Sequence, residues 1–246
     1  MNAPGIAWIS GDDPPDAFPP LDSACEEPDG LLAAGGDLSA ERLLYAYEHG
    51  IFPWYEEGQP ILWWLPDPRC VLIPADFHAS RRLCRTLPKA QFQVSFNAAF
   101  DPVIDGCAGA RYGEPGTWIT TDIRQSYRQL HRLGWAHSVE VWQDGQLAGG
   151  LYGIAIGKAF FGESMFSARS DASKVALLAL CQLLVKQDFA VLDCQVASPH
   201  LTTLGALLMP RAKFADLLRH ACHPATRAEF WPDRRTCATE FLPLRK

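Results

Sequence analysis

The segment from Ala136 to Ser167 leaves the chain little freedom in what it folds into. A-H-S-V-E-V-W-Q alternates apolar and polar side chains, Asp144-Gly145 is a hairpin turn signal, and Q-L-A-G-G-L-Y-G-I-A-I returns. Gly157-Lys158 turns the chain again, and A-F-F-G-E-S-M-F closes the run. A period of two, interrupted by residues that tolerate positive φ, specifies a three-strand antiparallel meander. The following D-A-S-K-V-A-L-L-A-L-C-Q-L-L-V-K is a strongly apolar helix, and F-A-V-L-D-C-Q-V is a further strand. Upstream, Thr121 opens a helix whose apolar stripe is Ile123, Tyr127, Leu130 and Leu133, closed by Gly134. Helix, meander, helix and strand in that order make a layered α+β domain.

Before it, S-A-E-R-L-L-Y-A-Y-E-H reads as a short helix with Ser39 as N-cap and Gly50 just past its end. Pro66 and Pro68 around Asp67 then stop regular structure. This places a boundary near residue 70, between a small N-terminal α+β domain (1–70) and the larger domain (71–246). The run from Ser95 to Gly109, with Asn97 as its cap, reads as scaffold.

With 246 residues, 48% of them apolar and 20% charged, the chain can bury one sizeable core or two smaller ones. No apolar run reaches the ~18 residues needed to cross a bilayer, and the early Asp12, Asp13 and Asp16 do not fit a signal peptide. No membrane partner and a cytoplasmic location are therefore expected. The cysteines at 25, 70, 84, 107, 181, 194, 222 and 237 lack C-x-x-C spacing and read as free thiols. His220, Cys222 and His223 cluster locally without a second ligand pair, so no metal is expected.

A net charge of −6 argues against a nucleic-acid partner, because phosphate binding is driven by Lys and Arg. The distribution weakens that objection. Arg81, Arg82, Arg85 and Lys89 fall within nine residues, and Arg124, Arg128 and Arg132 recur at i, i+4, i+8 on one helix face. Such runs are more often solvated helix faces, yet together they permit a basic surface on an acidic protein.

Two carboxylates stand out. Glu163 lies inside the aromatic pattern F-F-G-E-S-M-F-S, and Asp193 follows Val191 and Leu192 with Gln195 at same-face strand spacing. Burying either charge is costly without a partner, which suggests a polar constellation in a dry cleft. An isolated strand carboxylate is ordinarily satisfied by backbone N–H groups; here Gly162 and Ser164 leave room for a ligand beside Glu163. Trp54 in F-P-W-Y and Trp118 in G-T-W-I-T sit in irregular segments, where an indole stacks on a base or packs between domains. No G-x-S-x-G elbow, P-loop or G-x-G-x-x-G is present, so hydrolase, NTPase and dinucleotide readings lack support.

The order of elements resembles a GNAT-type acyltransferase. That fold holds the pyrophosphate of acyl-CoA at a Gly-rich turn, whereas F-S-A-R-S-D-A-S-K has no glycine and carries an aspartate, so acyl-CoA is not the expected donor. A more specific match runs from about residue 18 to 208. E-P-D-G-L-L-A-A-G-G-D-L-S, G-I-F-P-W-Y, I-L-W-W-L-P-D-P-R, E-P-G-T-W-I-T, H-S-V-E-V-W, G-G-L-Y-G, F-F-G-E-S-M-F-S, A-S-K-V-A-L and L-D-C-Q-V together resemble the bacterial leucyl/phenylalanyl-tRNA–protein transferases.

The resemblance implies transfer of a leucyl or phenylalanyl group, with methionyl as a further donor, from the 3′ end of charged tRNA to the α-amine of a protein beginning with Arg or Lys. Such tagging directs the acceptor to N-end-rule degradation, and neither metal nor organic cofactor is required. It also implies that Trp54 and Trp118 hold the terminal adenosine, and that Leu151, Phe160, Leu177, Leu180 and Leu192 line an apolar aminoacyl pocket. Gln195 would orient the attacking amine, with Asp193 polarising it or stabilising the positive charge that develops, and Glu163 would face the donor's α-amine, the ribose or the acceptor's cationic end. On this reading Asp193→Ala cuts transfer by orders of magnitude while tRNA binding stays near normal. Arg81, Arg82, Arg85, Arg124, Arg128 and Arg132 become one surface for the acceptor stem, and a monomer is expected. Two other classes stay open: an acyltransferase with another donor, such as acyl-CoA, and a non-catalytic RNA-binding module.

Overall fold

The computed structural model describes residues 6–109 and 118–242. In chain order its first half comprises β1 (Ala7–Ile9), β2 (Leu31–Gly35), α1 (Ala40–Glu48), β3 (Phe52–Pro53), β4 (Leu62–Trp64), β5 (Arg69–Leu72), α2 (Arg81–Ala90), β6 (Gln93–Phe96) and α3 (Phe100–Ala108). Then come α4 (Thr121–Arg132), β7 (Ala136–Gln143), β8 (Gln146–Ile156), β9 (Ala159–Ser167), α5 (Ala172–Lys186), β10 (Val191–Gln195), α6 (Pro199–Thr203), β11 (Leu207–Met209), α7 (Arg211–Ala221) and β12 (Thr236–Cys237). The first four strands form one sheet in the order β1-β2-β4-β3. The other eight form a second, β11-β5-β10-β9-β8-β7-β6-β12.

The expected meander is β7, β8 and β9, and its first turn places Asp144 and Gly145 at φ +52° and +76°, as a tight hairpin requires. Helix α5 carries the chain from β9 to β10, which therefore pair in parallel. The sheet separates two apolar clusters. Helices α2 and α5 pack on one face through Leu83, Leu87, Val175, Leu177 and Leu180, whereas α1, α3, α4 and α7 cover the other through Tyr47, Val103, Tyr127 and Phe214. α5 is buried on nearly all sides, which explains its almost unbroken apolar sequence.

The change of sheet falls at the Pro-marked segment, between Trp64 and Arg69, and on this we propose the division near residue 70. The two layers share a core in which Leu32, Tyr47 and Trp63 join Ile123, Tyr127 and Phe161. The chain after Pro210 belongs to the same body. Phe214 and Leu218 of α7 pack beside Gly50 and Leu65, and Trp231 stacks on His137 at 4.2 Å.

Two local expectations are corrected. Leu133 is the C-cap of α4 and 42% exposed, so the buried stripe is Ile123, Tyr127 and Leu130 only. Asn97 does not cap α3. Its own φ is +56° and its Oδ1 accepts Ser138 N–H, while the buried Glu140 accepts the N–H groups of Ala98 and Ala99 that precede the helix. A carboxylate from a neighbouring strand meets the helix N-terminus better than the local side chain can.

Candidate active site

The site arises where the central sheet loses its regularity. Parallel pairing of β9 with β10 ends at Phe161 opposite Asp193, after which β9 continues to Ser167 paired with β8 alone. Both strands bulge at this level. On β9, Gly162 faces Gly153 and Ser164 faces Tyr152, leaving Glu163 as the extra residue; on β10, Cys194 is extra between Asp193 and Gln195. A bulge turns a side chain away from the alternating pattern and bends the strand. Gly153 is required opposite the first bulge, because a Cβ there would lie 2.2 Å from the Phe161 carbonyl oxygen.

Glu163 is buried and fully engaged. Its Oε1 accepts the Tyr47 hydroxyl at 2.7 Å and the Gln195 amide at 2.9 Å, and its Oε2 accepts the Tyr127 hydroxyl at 2.9 Å. The two phenol oxygens also lie within hydrogen-bond distance of each other, and with one proton per phenol all three contacts are satisfied together only when the carboxyl is protonated and donates one of them. Burial pushes the Glu163 carboxyl up to about 7; hydrogen bonds from the two tyrosines oppose this, the Asp193 charge reinforces it, and the Gln195 amide also pulls downward. Burial and then the Glu163 charge raise both phenols well above their ordinary value, so they remain neutral donors.

Asp193 is held differently. Arg69 grips it with a fork, Nε to Oδ1 at 2.8 Å and Nη2 to Oδ2 at 2.6 Å, both side chains being inaccessible to solvent. Oδ1 also accepts the backbone N–H of Gln195 at 2.9 Å. The guanidinium lies over the Phe52 and Phe214 rings at 4.7 and 5.0 Å, which keeps its faces from water.

Of these residues Phe52, Glu163, Asp193 and Gln195 border a cavity of about 550 Å³, within the range of small-molecule sites, whereas Tyr47, Tyr127, Arg69 and Phe214 stand outside its lining. Its apolar lobe is Leu151, Phe160, Leu177, Leu180 and Leu192 on the α5 side of the sheet. Its polar lobe holds Glu163, Asp193 and Gln195, and Trp54 and Trp118 also line it. The structure thus gathers ten residues that the sequence singled out. Trp54 is 43% exposed with its ring tilted against Trp64 at 5.8 Å, so it is not consumed by interdomain packing. Residues 114–117 of the E-P-G-T-W-I-T stretch lie outside the described residues.

The arginines are not brought together. Arg81, Arg82 and Arg85 are exposed on α2 and in no ion pair among the described residues, while α4 covers the opposite face of the sheet. Moreover Arg128 binds Asp101 and Asp105 at 3.0 and 2.9 Å, and Arg124 lies 3.5 Å from Asp105. The single basic surface expected from sequence is therefore two separate ones, the second largely neutralised by α3, because a charge pattern along one helix does not reveal its neighbours. Conversely, sequence reasoning missed Tyr47, Tyr127 and Arg69. A Tyr on the buried stripe of a capped helix needs a partner for its hydroxyl, and that signal pointed to both phenols.

If Trp54 stacks on a nucleobase, Trp54→Ala raises KM for the donor on the order of 10- to 100-fold, at about 1–3 kcal/mol per stacked base, with the melting temperature unchanged. An unchanged KM in steady-state kinetics would exclude the stack.

Two family models match the chain. The leucyl/phenylalanyl-tRNA protein transferase model spans residues 71–219, and the model of its N-terminal domain spans residues 36–67. The chain belongs to the leucyl/phenylalanyl-tRNA protein transferase family. It is 61% identical over 209 residues to the leucyl/phenylalanyl-tRNA–protein transferase of Aromatoleum aromaticum, covering 85% of this chain and 87% of that one. It is 55% identical over 213 residues to that of Stutzerimonas stutzeri, covering 87% and 93%. Among solved structures it is similar to a GCN5-related N-acetyltransferase from Kribbella flavida at TM-score 0.35 and 14% identity, over 68% of this chain and 59% of that one. In this leucyl/phenylalanyl-tRNA protein transferase family member, every residue around the cavity from Leu151 to Leu201 falls within the larger family match.

Proposed function

We propose that the protein transfers a leucyl or phenylalanyl group, with methionyl as a further donor, from charged tRNA to the N-terminal α-amine of proteins beginning with Arg or Lys. It acts as a cytoplasmic monomer and marks those proteins for N-end-rule degradation. The observation that carries this reading is the composition of this cavity: an apolar lobe, a carboxylate–amide pair backed by two phenols, and two tryptophans in its lining. The lobe suits an aliphatic or aromatic aminoacyl side chain, and the indoles suit the terminal adenosine.

The chemistry asks little beyond placement. The amine nitrogen bonds to the ester carbon, the carbon–oxygen bond to the ribose breaks, the amine loses a proton and the ribose oxygen gains one. No cofactor is consumed. Gln195, within the polar lobe, hydrogen-bonds Glu163 and orients the incoming amine, while Glu163, whose carboxyl titrates at about 7, accepts its proton. When ionised, the Glu163 carboxylate also favours an acceptor carrying a cationic first residue. Arg81, Arg82, Arg85 and the exposed Arg132 contact tRNA phosphates, with Arg124 and Arg128 contributing less because aspartates already pair them.

The test is transfer of labelled leucine and phenylalanine, each from charged tRNA, to a peptide with N-terminal Arg beside the same peptide acetylated. Label only on the free amine is expected. Label on neither, with tRNA still bound, would replace the transferase reading by RNA binding alone.

A further inference from the structure

The Arg69–Asp193 fork does more than neutralise two buried charges. Gln195 follows the β10 bulge with φ +61°, a left-handed conformation uncommon for residues other than glycine. One visible restraint on that backbone is its N–H bond to Asp193 Oδ1, the same oxygen that Arg69 Nε holds at 2.8 Å. From this backbone the Gln195 side chain reaches back 2.9 Å to Glu163. Arg69 is in turn fixed from three directions: by β5 pairing on both sides, by the Phe52 ring of β3 and by the Phe214 ring of α7. With its side chain wholly buried, Asp193 has its oxygens committed within the protein.

We propose that Arg69 is a positioning residue for the transfer reaction, acting through Asp193 to set the backbone, and hence the amide, of Gln195. The inference rests on the reading of Gln195 and Glu163 as the reacting centre. It gives Asp193 the role of a relay between a rigid cation and the working amide, in place of direct contact with the attacking amine. It also gives α7 a part in the chemistry, since Phe214 is one of the groups that hold Arg69.

A double-mutant cycle tests this. Arg69→Lys keeps the charge beside Asp193 but cannot form the fork. In leucyl transfer to an Arg-peptide it is expected to lower kcat on the order of 10- to 100-fold, the scale of an ångström-sized misplacement, with KM for leucyl-tRNA unchanged. In a Gln195→Ala background, Arg69→Lys should cost no further factor. An equal cost in both backgrounds, or wild-type kcat for Arg69→Lys, would overturn the proposal. Gln195→Ala with wild-type transfer would instead remove the reacting-centre assignment and the inference with it. Should Arg69→Lys fail to fold, the paired substitution Arg69→Met with Asp193→Leu replaces the buried ions by apolar volume. It is expected to melt near the wild type yet lose kcat to the same degree, and a folded, fully active pair would refute the positioning role.

Discussion

Asp193→Ala is expected to lower the melting temperature by about 10 °C and to abolish transfer in the same protein. The sequence reading expected loss of transfer alone. The structure adds that truncation strands the Arg69 guanidinium, inaccessible to solvent and already left with an unpartnered Nη1, among Phe52, Phe214 and the sheet. Breaking a buried pair by removing one partner costs about 3–5 kcal/mol, and each kcal/mol is worth about 2–4 °C in a chain of this size. Thermal melts beside transfer assays decide the matter. Loss of transfer with an unchanged melting temperature would return Asp193 to a purely chemical role.

Glu163→Gln is expected to reduce transfer by about 100-fold or more while keeping the fold, the lower end of what a positioned proton acceptor contributes. Glutamine copies the shape of the protonated carboxyl that burial favours. Because the folded carboxyl titrates at about 7, above its ordinary 4.5, the fold prefers the protonated form. Its contribution to stability is whole below about pH 4.5 and is lost as pH rises through 7. Relative to the wild type, the Gln variant should therefore gain stability between pH 5 and 9, by about 3 kcal/mol at most. Wild-type kcat/KM should climb through an inflection near pH 7 that the variant lacks. The acceptor amine's own titration, near 8, is common to both enzymes and cancels in the comparison. Superimposable pH profiles would mean that Glu163 orders the cavity without taking a proton.

Much of this was legible in the residues because it is local. The D-G turn, the alternating strands and the apolar helix announced the meander and α5, and Glu163 and Asp193 betrayed themselves as charges in apolar strands. The pocket leucines and both tryptophans came through resemblance of short motifs, and all of them border the cavity. The basic runs misled for a stated reason. Arg124 and Arg128 look free along α4, but Asp101 and Asp105 reach them from α3, a helix the spacing of arginines does not report.

The sequence by itself determined α1 and the run of elements from α4 to β10, the α+β class and the presence of two carboxylates that needed partners, since these depend on periodicity and on the cost of burying charge. Only the tertiary structure decided who those partners are. Tyr47 lies 116 positions from Glu163 and Arg69 lies 124 from Asp193. Their meeting depends on two bulges falling at one level of adjacent parallel strands and on helices packed from both faces. That register is fixed by the packing of the whole sheet, and no single segment encodes it.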